Sequence, residues 1–428
     1  MLLLCYRLLF LPVLLVMAPY YLWRMRRRGG YRRHFGQRLG GHGNLPDRRA
    51  GTRRAWVQAV SVGEMLAVEP MLEALHRDGV EVYLTTTTST GFRLADDRYR
   101  AITVGLGYFP IDWWLFSSRA WRSIAPDLAI LTEGERWPEH LRQARRRGTP
   151  VICVNARMTE RSHRRWRLFR PAARSMFRDI SRMLPCSAQD EARFADLGFP
   201  RERMQVTGNI KLDVSIPLLA DAEKAELRRA MGLPAGGLVL LGSSTWPGEE
   251  TALFEALRRA RGTGLGCSLV LVPRHAERRL EVEKLLRSAG LRSHFRSRGS
   301  APGEVDVAVG DTTGELRRIT QLADLVFVGK SLPPHTEGQT PVEAAALGKP
   351  ILFGPGMASF REISRELLAC SGALMVADPG ELAAACAALM RDDVRRAALS
   401  AAALAWSRAN QGATARTLAV IRGEFAGR

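Results

Sequence analysis

Residues 58–71 read QAVSVGEMLAVEPM. A strand-like apolar run ends at Ser61-Val62-Gly63-Glu64, where a small residue and a glycine allow a tight turn, and apolar residues then recur at helical spacing. The same unit repeats along the chain. WVQAVSV, VEVYLTTT, DLAILTE, PVICVNA and RMLPCSA read as strands, with EMLAVEPMLEALHRDG, EHLRQARRRG and AQDEARFADLG as the helices between them. A second series, GLVLLGSS, CSLVLVPR, VDVAVGD, LADLVFVG and PILFGP, follows the polar helix AEKAELRRAMG. Alternating strands and helices of this kind build a parallel sheet with crossover helices. The expected fold is α/β, with two Rossmann-like doubly wound halves meeting near residues 213–236 and facing a central crevice where a ligand binds.

The chain has 428 residues, too many for one ordinary core, and 46% of them are hydrophobic, as in a folded protein. Its formal charge of +20 is carried almost entirely by arginine and predicts attraction to a polyanion. Neither a helix-turn-helix, an RRM nor a zinc pattern supports nucleic acid as that polyanion. Six scattered cysteines without a C-x-x-C pair argue against a zinc site or a disulfide framework. The opening MLLLCYRLLFLPVLLVMAPYYLWRMRRR is apolar for about 20 residues, enough to cross a hydrocarbon core, and is interrupted only by Arg7, which could snorkel. Tyr20, Tyr21, Trp23 and the arginines at 24, 26, 27 and 28 place the rest of the chain on the cytoplasmic side of an inner membrane, against the alternative of a cleaved signal peptide. The domain expectation is an anchor at 1–24, a basic segment at 25–54, and α/β domains at 55–220 and 221–428.

Three stretches carry candidate chemistry. Glu64 stands where a strand turns into a helix, so it either satisfies the helix terminus or serves as a general base. In TEGERWP (132–138), Glu133 and Glu135 alternate, so an extended chain would put both on one side, as in acid/base machinery. No D-x-D motif or histidine cluster implies a metal. The run 155–182 interleaves Arg161, Arg164, Arg165, Arg167, Arg170, Arg174 and Arg178 with Trp166, Phe169, Met176 and Phe177, as an amphipathic membrane-surface helix would. In the second half, GSST (242–245) with PGEE, PRH (273–275), DTTGEL (311–316) and GQTPVE (338–343) follow strands. They supply N–H groups, hydroxyls and the Arg274 fork for a phosphate, with Glu343 for ribose hydroxyls, which together suggests a nucleotide.

With SVGE, TEGERWP, NARMTERS, TGNIKLD, PRH, DTTGEL and TPVEAAALGKPILFGP in this order, the chain resembles the 3-deoxy-D-manno-octulosonic acid (Kdo) transferases of lipopolysaccharide assembly, glycosyltransferase family 30. The resemblance implies a GT-B fold, an N-terminal acceptor-binding domain, a C-terminal CMP-sugar domain, and inverting Kdo transfer from CMP-Kdo to the lipid A precursor lipid IVA. It also implies Glu64 as the general base and Glu133 and Lys211 as stabilisers of the transition state. Ser243 lies in the glycine- and serine-rich stretch just described, and the resemblance implies CMP contacts from Pro273, Arg274, Gly314, Glu315, Leu316, Thr340, Pro341, Val342 and Glu343. Neither a cofactor nor a metal is expected. The chain departs from the family pattern at Arg136, usually Leu, at Trp246, often His, and at Gln339 and Thr340, usually His and Asn. Competing readings are a transferase or epimerase using a UDP-sugar, or a non-enzymatic protein docking on anionic lipid.

Overall fold

The computed structural model describes residues 2–28, 34–43, 45–262 and 264–427. The chain forms two compact units, Met1–Asp213 with Gln411–Arg428, and Val214–Asn410. In the first, β1 (Arg54–Gln58), β2 (Glu81–Thr86), β3 (Gly105–Tyr108), β4 (Leu128–Thr132), β5 (Val151–Ala156) and β6 (Arg182–Pro185) make one parallel sheet in the order β3-β2-β1-β4-β5-β6. Helices cover the strands, whose apolar runs are buried; Met65, Val68, Leu72 and Leu75 of the helix Val62–Arg77 lie at helical spacing in the same core as Val57, Leu84 and Ile130. Because the chain leaves β1 for β2 on one side and later returns to β4 on the other, the carboxyl ends of β1 and β4 form a topological switch point. Strand β3 escapes sequence reading because it contains two glycines. A Cβ at Gly105 would meet the Tyr83 ring at 2.6 Å, and one at Gly107 would meet the Tyr83 hydroxyl at the same distance.

Beneath this sheet Trp56, Phe109 and Trp121 surround His140, which is 2% exposed. The Trp121 Nε1–H donates to His140 Nδ1 at 3.2 Å, so the neutral ring keeps its proton on Nε2, 3.1 Å from the Pro110 carbonyl. Burial pushes His140 down to about 4, and burial with the His140 charge does the same to His42. Burial pushes Asp112 up to about 6. Between pH 6.5 and 4 the unfolded chain takes up protons that both folded histidines refuse, whereas Asp112 works in the opposite direction through one proton. Stability of the first unit should therefore fall on acidification through this window, by on the order of 2–3 kcal/mol from pH 7 to pH 4. Hydrogen exchange of the β1 and β4 amides checks this, and protection that stays flat across the window would refute it.

The N-terminal segment forms a helix, Leu2–Arg28, but Pro12 removes a backbone donor and the arms Leu3–Phe10 and Pro12–Trp23 meet at 45°. No single helix among the described residues is long and apolar enough to cross a membrane; the two arms together have the length and composition of a bent span. Arg7 does not snorkel. Its Nε and Nη2 both donate to Glu139, each at 2.9 Å, while the Tyr6 hydroxyl donates to Asp112 at 2.7 Å. Residues 29–33 and 44 of the basic segment, and the side chains of Arg24, Arg27 and Arg28, lie outside the described residues. The expected amphipathic helix is two, Glu160–Leu168 and Arg170–Phe177, with Pro171 in the first turn of the second. Phe177 is buried and Trp166 and Met176 pack against the same core, leaving Leu168 and Phe169 exposed.

In the second unit β7 (Leu238–Thr245), β8 (Cys267–Pro273), β9 (Ser293–Phe295), β10 (Val307–Val309), β11 (Leu325–Val328), β12 (Ile351–Phe353) and β13 (Ala373–Met375) form a parallel sheet in the order β13-β12-β11-β7-β8-β10-β9. Strands β9 and β13, at the two edges of the sheet, have no counterpart among the apolar runs of the sequence: SHF and ALM each carry a polar or small residue in only three positions. The second domain does not run to residue 428 as the sequence suggests. Asp213 accepts the Gly412 and Thr414 N–H groups at the start of the last helix, Ala413–Ala426, at 3.0 and 2.7 Å. Ala413, Leu418 and Ile421 of that helix then join the core around Met65 and Ile210.

Candidate active site

Ser61 caps the helix that follows β1. Its Oγ accepts the Glu64 N–H at 3.3 Å and donates to Glu64 Oε1 at 3.1 Å. The Ser61 hydroxyl thus caps the helix and at the same time holds the Glu64 carboxylate beside the helix terminus. More donors converge on the same carboxylate: the Val60 N–H at 3.1 Å and the Thr132 hydroxyl at 2.6 Å, both to Oε2. A carboxylate offers about four lone-pair positions, so three donors leave one, on Oε1. Thr132 ends β4, so the Thr132–Glu64 bond crosses the switch point of the first sheet.

One residue further, Glu133 adopts φ 49°, a left-handed conformation that is uncommon outside glycine. That rotation breaks the strand alternation, so Glu133 and Glu135 do not share partners as the sequence suggests. Glu135 accepts the Trp137 indole N–H at 2.9 Å and lies 3.4 Å from Gln58 Nε2. Burial pushes the Glu135 carboxyl up, the Trp137 N–H opposes this, and the Glu64 charge adds to it. Glu133 Oε1 instead forms an ion pair with Lys211 and accepts from Asn155 Nδ2 at 3.3 Å. Asn155 is itself fixed, because its Oδ1 accepts the Ile210 N–H at 3.0 Å and the Cys186 thiol at 3.1 Å. Burial keeps that thiol protonated by pushing it up. Thus β4, β5 and the loop 207–213 place Glu133, Asn155 and Lys211 together. Thr132 and Asn155 lay unassigned within TEGERWP and NARMTERS; their signal is a polar residue ending an apolar strand.

Arg136, one of the departures, has a visible task. Its Nη1 donates to the Glu133 carbonyl at 2.7 Å and its guanidinium lies 5.1 Å from the centre of the Phe194 ring, closing the turn that turns Glu133 aside. Arg136→Leu should cost about 1–2 kcal/mol, measured by urea unfolding, from the lost carbonyl bond and cation–π contact. A change below a few tenths would show that the turn holds without it.

In the second unit all strands are parallel, so the segments after β7, β8, β10 and β11 lie at one carboxyl edge. Ser243 is 8% exposed near the end of β7, Pro273 ends β8, and the Arg274 side chain is exposed while its N–H donates to Thr245 O at 3.1 Å. Gly314 takes φ 88° before Glu315 and Leu316, which open the helix Leu316–Thr320. Glu315 accepts from the Thr312 hydroxyl and lies 3.4 Å from Arg296 Nη2. Thr340 Oγ1 accepts the Val342 N–H at 3.3 Å, after which Pro341 and Val342 lead to Glu343, paired with Arg317 Nε at 2.7 Å. The Arg317–Glu343 pair ties the DTTGEL and GQTPVE segments together. Trp246 packs edge-on to His275, with ring centres 5.4 Å apart, and carries Lys330 Nζ 4.2 Å above its face. Glu249 and Glu250 of PGEE are not ligand groups. Glu249, 1% exposed, accepts four backbone N–H groups, and the fully buried Glu250 accepts from Thr245 Oγ1 and Arg278 Nη1.

Among the described residues no group of three or more His, Cys, Asp or Glu side chains is arranged to hold a metal ion. Residues 33–214 match the family model described as 3-deoxy-D-manno-octulosonic-acid transferase (kdotransferase). The chain is 34% identical to the 3-deoxy-D-manno-octulosonic acid transferase of Bordetella pertussis over 93% of its own length and 94% of that protein's. To that of Haemophilus influenzae it is 30% identical, covering 92% and 91%. A solved glycosyltransferase from Rickettsia africae, 9% identical, shares the fold with a TM-score of 0.56 over 88% of this chain and 99% of that one. The two parallel α/β units are thus those of a GT-B-like glycosyltransferase, and the identity along nearly the whole length shows that the chain belongs to the Kdo transferase family.

Proposed function

We propose that the protein transfers Kdo, with inversion, from CMP-Kdo to the 6-hydroxyl of the glucosamine disaccharide of lipid IVA, and that Glu64 is the general base. The reading rests on one observation: at the switch point of the first sheet, Glu64 is held by three donors with one lone pair left, and one of these donors, Thr132, immediately precedes Glu133 of the Glu133–Lys211 pair. The acceptor hydroxyl attacks the anomeric carbon, its proton passes to Glu64 Oε1, and the bond to the CMP phosphate breaks with both electrons leaving on the nucleotide. Lys211 supplies the cation that favours developing negative charge, and Glu133 with Asn155 keeps it in place. Arg274 and the segments 311–316 and 340–343 bind the nucleotide in this reading, without a metal cofactor. Exposed Leu8, Leu9, Val16 and Trp23 and the arginine excess of the chain support a place at the cytoplasmic face of the inner membrane, where the acceptor lipid resides.

The test is incubation of purified full-length protein with lipid IVA and CMP-Kdo generated in place, followed by mass spectrometry of the lipid. Mass gains in Kdo units from the wild type, absent with Glu64→Ala, are expected. No gain from folded wild-type protein would overturn the choice of donor or acceptor, and gains that persist in Glu64→Ala would overturn the base.

A further inference from the structure

A cleft of about 440 Å³, lined by none of the residues gathered around Glu64 and Glu133, opens in the first unit where the N-terminal helix meets the helices Trp114–Ile124 and Pro138–Arg146. Arg7, Trp114, Arg122, Gln143, Arg146 and Arg147 line it. Arg7 is neutralised by Glu139, whose oxygens are already engaged by Arg7 and by Gln143 Nε2. The other guanidinium groups have no such partner. Among the described residues, Arg122, Arg146 and Arg147 make no ion pair; Arg122 and Arg147 reach only the Ser118 carbonyl and the Gln143 carbonyl and amide oxygen. Burial and then the charges of Arg146 and Arg122 hold the Arg147 guanidinium below its usual value, as like charges crowded in one cleft must.

Such a cleft favours an anion, and its surroundings say which kind. Tyr6 and Arg7 tie the start of the N-terminal helix to the first unit, and Arg38, soon after its end, donates to Thr87 O at 2.7 Å. The start of the helix is therefore fixed at the cleft, and apolar residues next to it, Leu8 and Leu9, are exposed, as are Leu15 and Val16 further along. Trp114, 46% exposed at the rim, is the residue type that settles at headgroup depth. We propose that the Arg122–Arg146–Arg147 cleft binds the phosphate of an anionic membrane phospholipid, whose acyl chains lie with the apolar helix in the bilayer. The site is separate from the transfer chemistry, and it rests on the membrane contact proposed above.

The experiment uses full-length protein, sedimentation with vesicles of phosphatidylcholine alone or with phosphatidylglycerol, and titration with inorganic phosphate. The wild type should bind neutral vesicles through its helix and anionic ones roughly tenfold or more tightly, three arginines at a membrane surface being enough for this. Arg122→Ala with Arg146→Ala and Arg147→Ala should abolish most of that preference and leave neutral binding intact. A control with Arg259→Ala, Arg395→Ala and Arg408→Ala removes the same formal charge from exposed positions of the second unit and should keep it. Equal losses in both triple variants would overturn the cleft in favour of diffuse charge. Inorganic phosphate bound by the wild type and not by the cleft variant, with vesicle binding unchanged, would make it a free-phosphate site and overturn the lipid. Failure of the wild type to bind any vesicle would instead sink the membrane contact itself.

Discussion

Glu64→Gln should leave a folded protein whose Kdo transfer is slowed by roughly 10²–10⁴-fold, the usual contribution of a positioned general base. The amide keeps the shape of the side chain and can still accept through one oxygen, but it cannot take a proton from the sugar hydroxyl. The alternative is that Glu64 only satisfies the helix terminus, and its two bonds with the cap residue Ser61 make that alternative concrete. The two roles separate by readout. A cap is worth about 1 kcal/mol, so Ser61→Ala should lower stability by about that amount and spare most of the turnover. If Glu64→Gln behaves like Ser61→Ala, losing stability but not rate, the carboxylate is structural and the base lies elsewhere. Glu135 would then be the first candidate, since burial and the Glu64 charge both raise it.

Glu249→Ala is expected to have the largest effect on stability, about 4 kcal/mol in the second unit. Its carboxylate accepts the N–H groups of Trp246 and Lys330 at 2.9 and 2.8 Å through Oε2, and those of Ser331 and Leu332 at 2.8 and 3.1 Å through Oε1. These donors come from the segments following β7 and β11, the central pair of that sheet, so the side chain ties the two together at their carboxyl ends. The neighbouring backbone leaves little slack: a Cβ at Gly329 would meet the Ser244 carbonyl oxygen at 2.5 Å. Truncation leaves four N–H groups unpaired, each costing about 1–3 kcal/mol if water cannot reach it, and partial relaxation brings the sum down. Urea unfolding followed by hydrogen exchange in β7 and β11 measures the loss. A cost below about 1 kcal/mol would mean that water replaces the carboxylate and that the segment after β11 is held by other contacts.

What could be read from residues alone followed from periodicity. Two series of apolar runs separated by helical segments identify two parallel α/β halves, and the strand-end motifs mark the edges at which Glu64, Glu133, Arg274 and Glu343 lie, because a parallel sheet puts every carboxyl end on the same side. The motif order further identified the family. Tertiary structure decided what spacing cannot encode. Local alternation predicted one shared face for Glu133 and Glu135; a left-handed φ at Glu133, closed by Arg136, sends them to different partners. The resemblance marked Lys211 as a stabiliser of the transition state, whereas its ion pair with Glu133 is a matter of the fold, Glu133 also accepting from Asn155, 56 positions before Lys211 and itself bonded to Ile210 and Cys186. The acidic pair Glu249 and Glu250 looked like part of a ligand site because sequence does not report burial; both are buried, Glu249 accepting four backbone N–H groups and Glu250 accepting from Thr245 and Arg278. The last helix belongs to the first unit for a reason spread over two distant segments: Asp213 caps it and the core around Met65 accepts its apolar face. Sequence thus determined the elements and their edge, since these depend on neighbours along the chain, and the fold alone decided pairings, since these depend on neighbours across space.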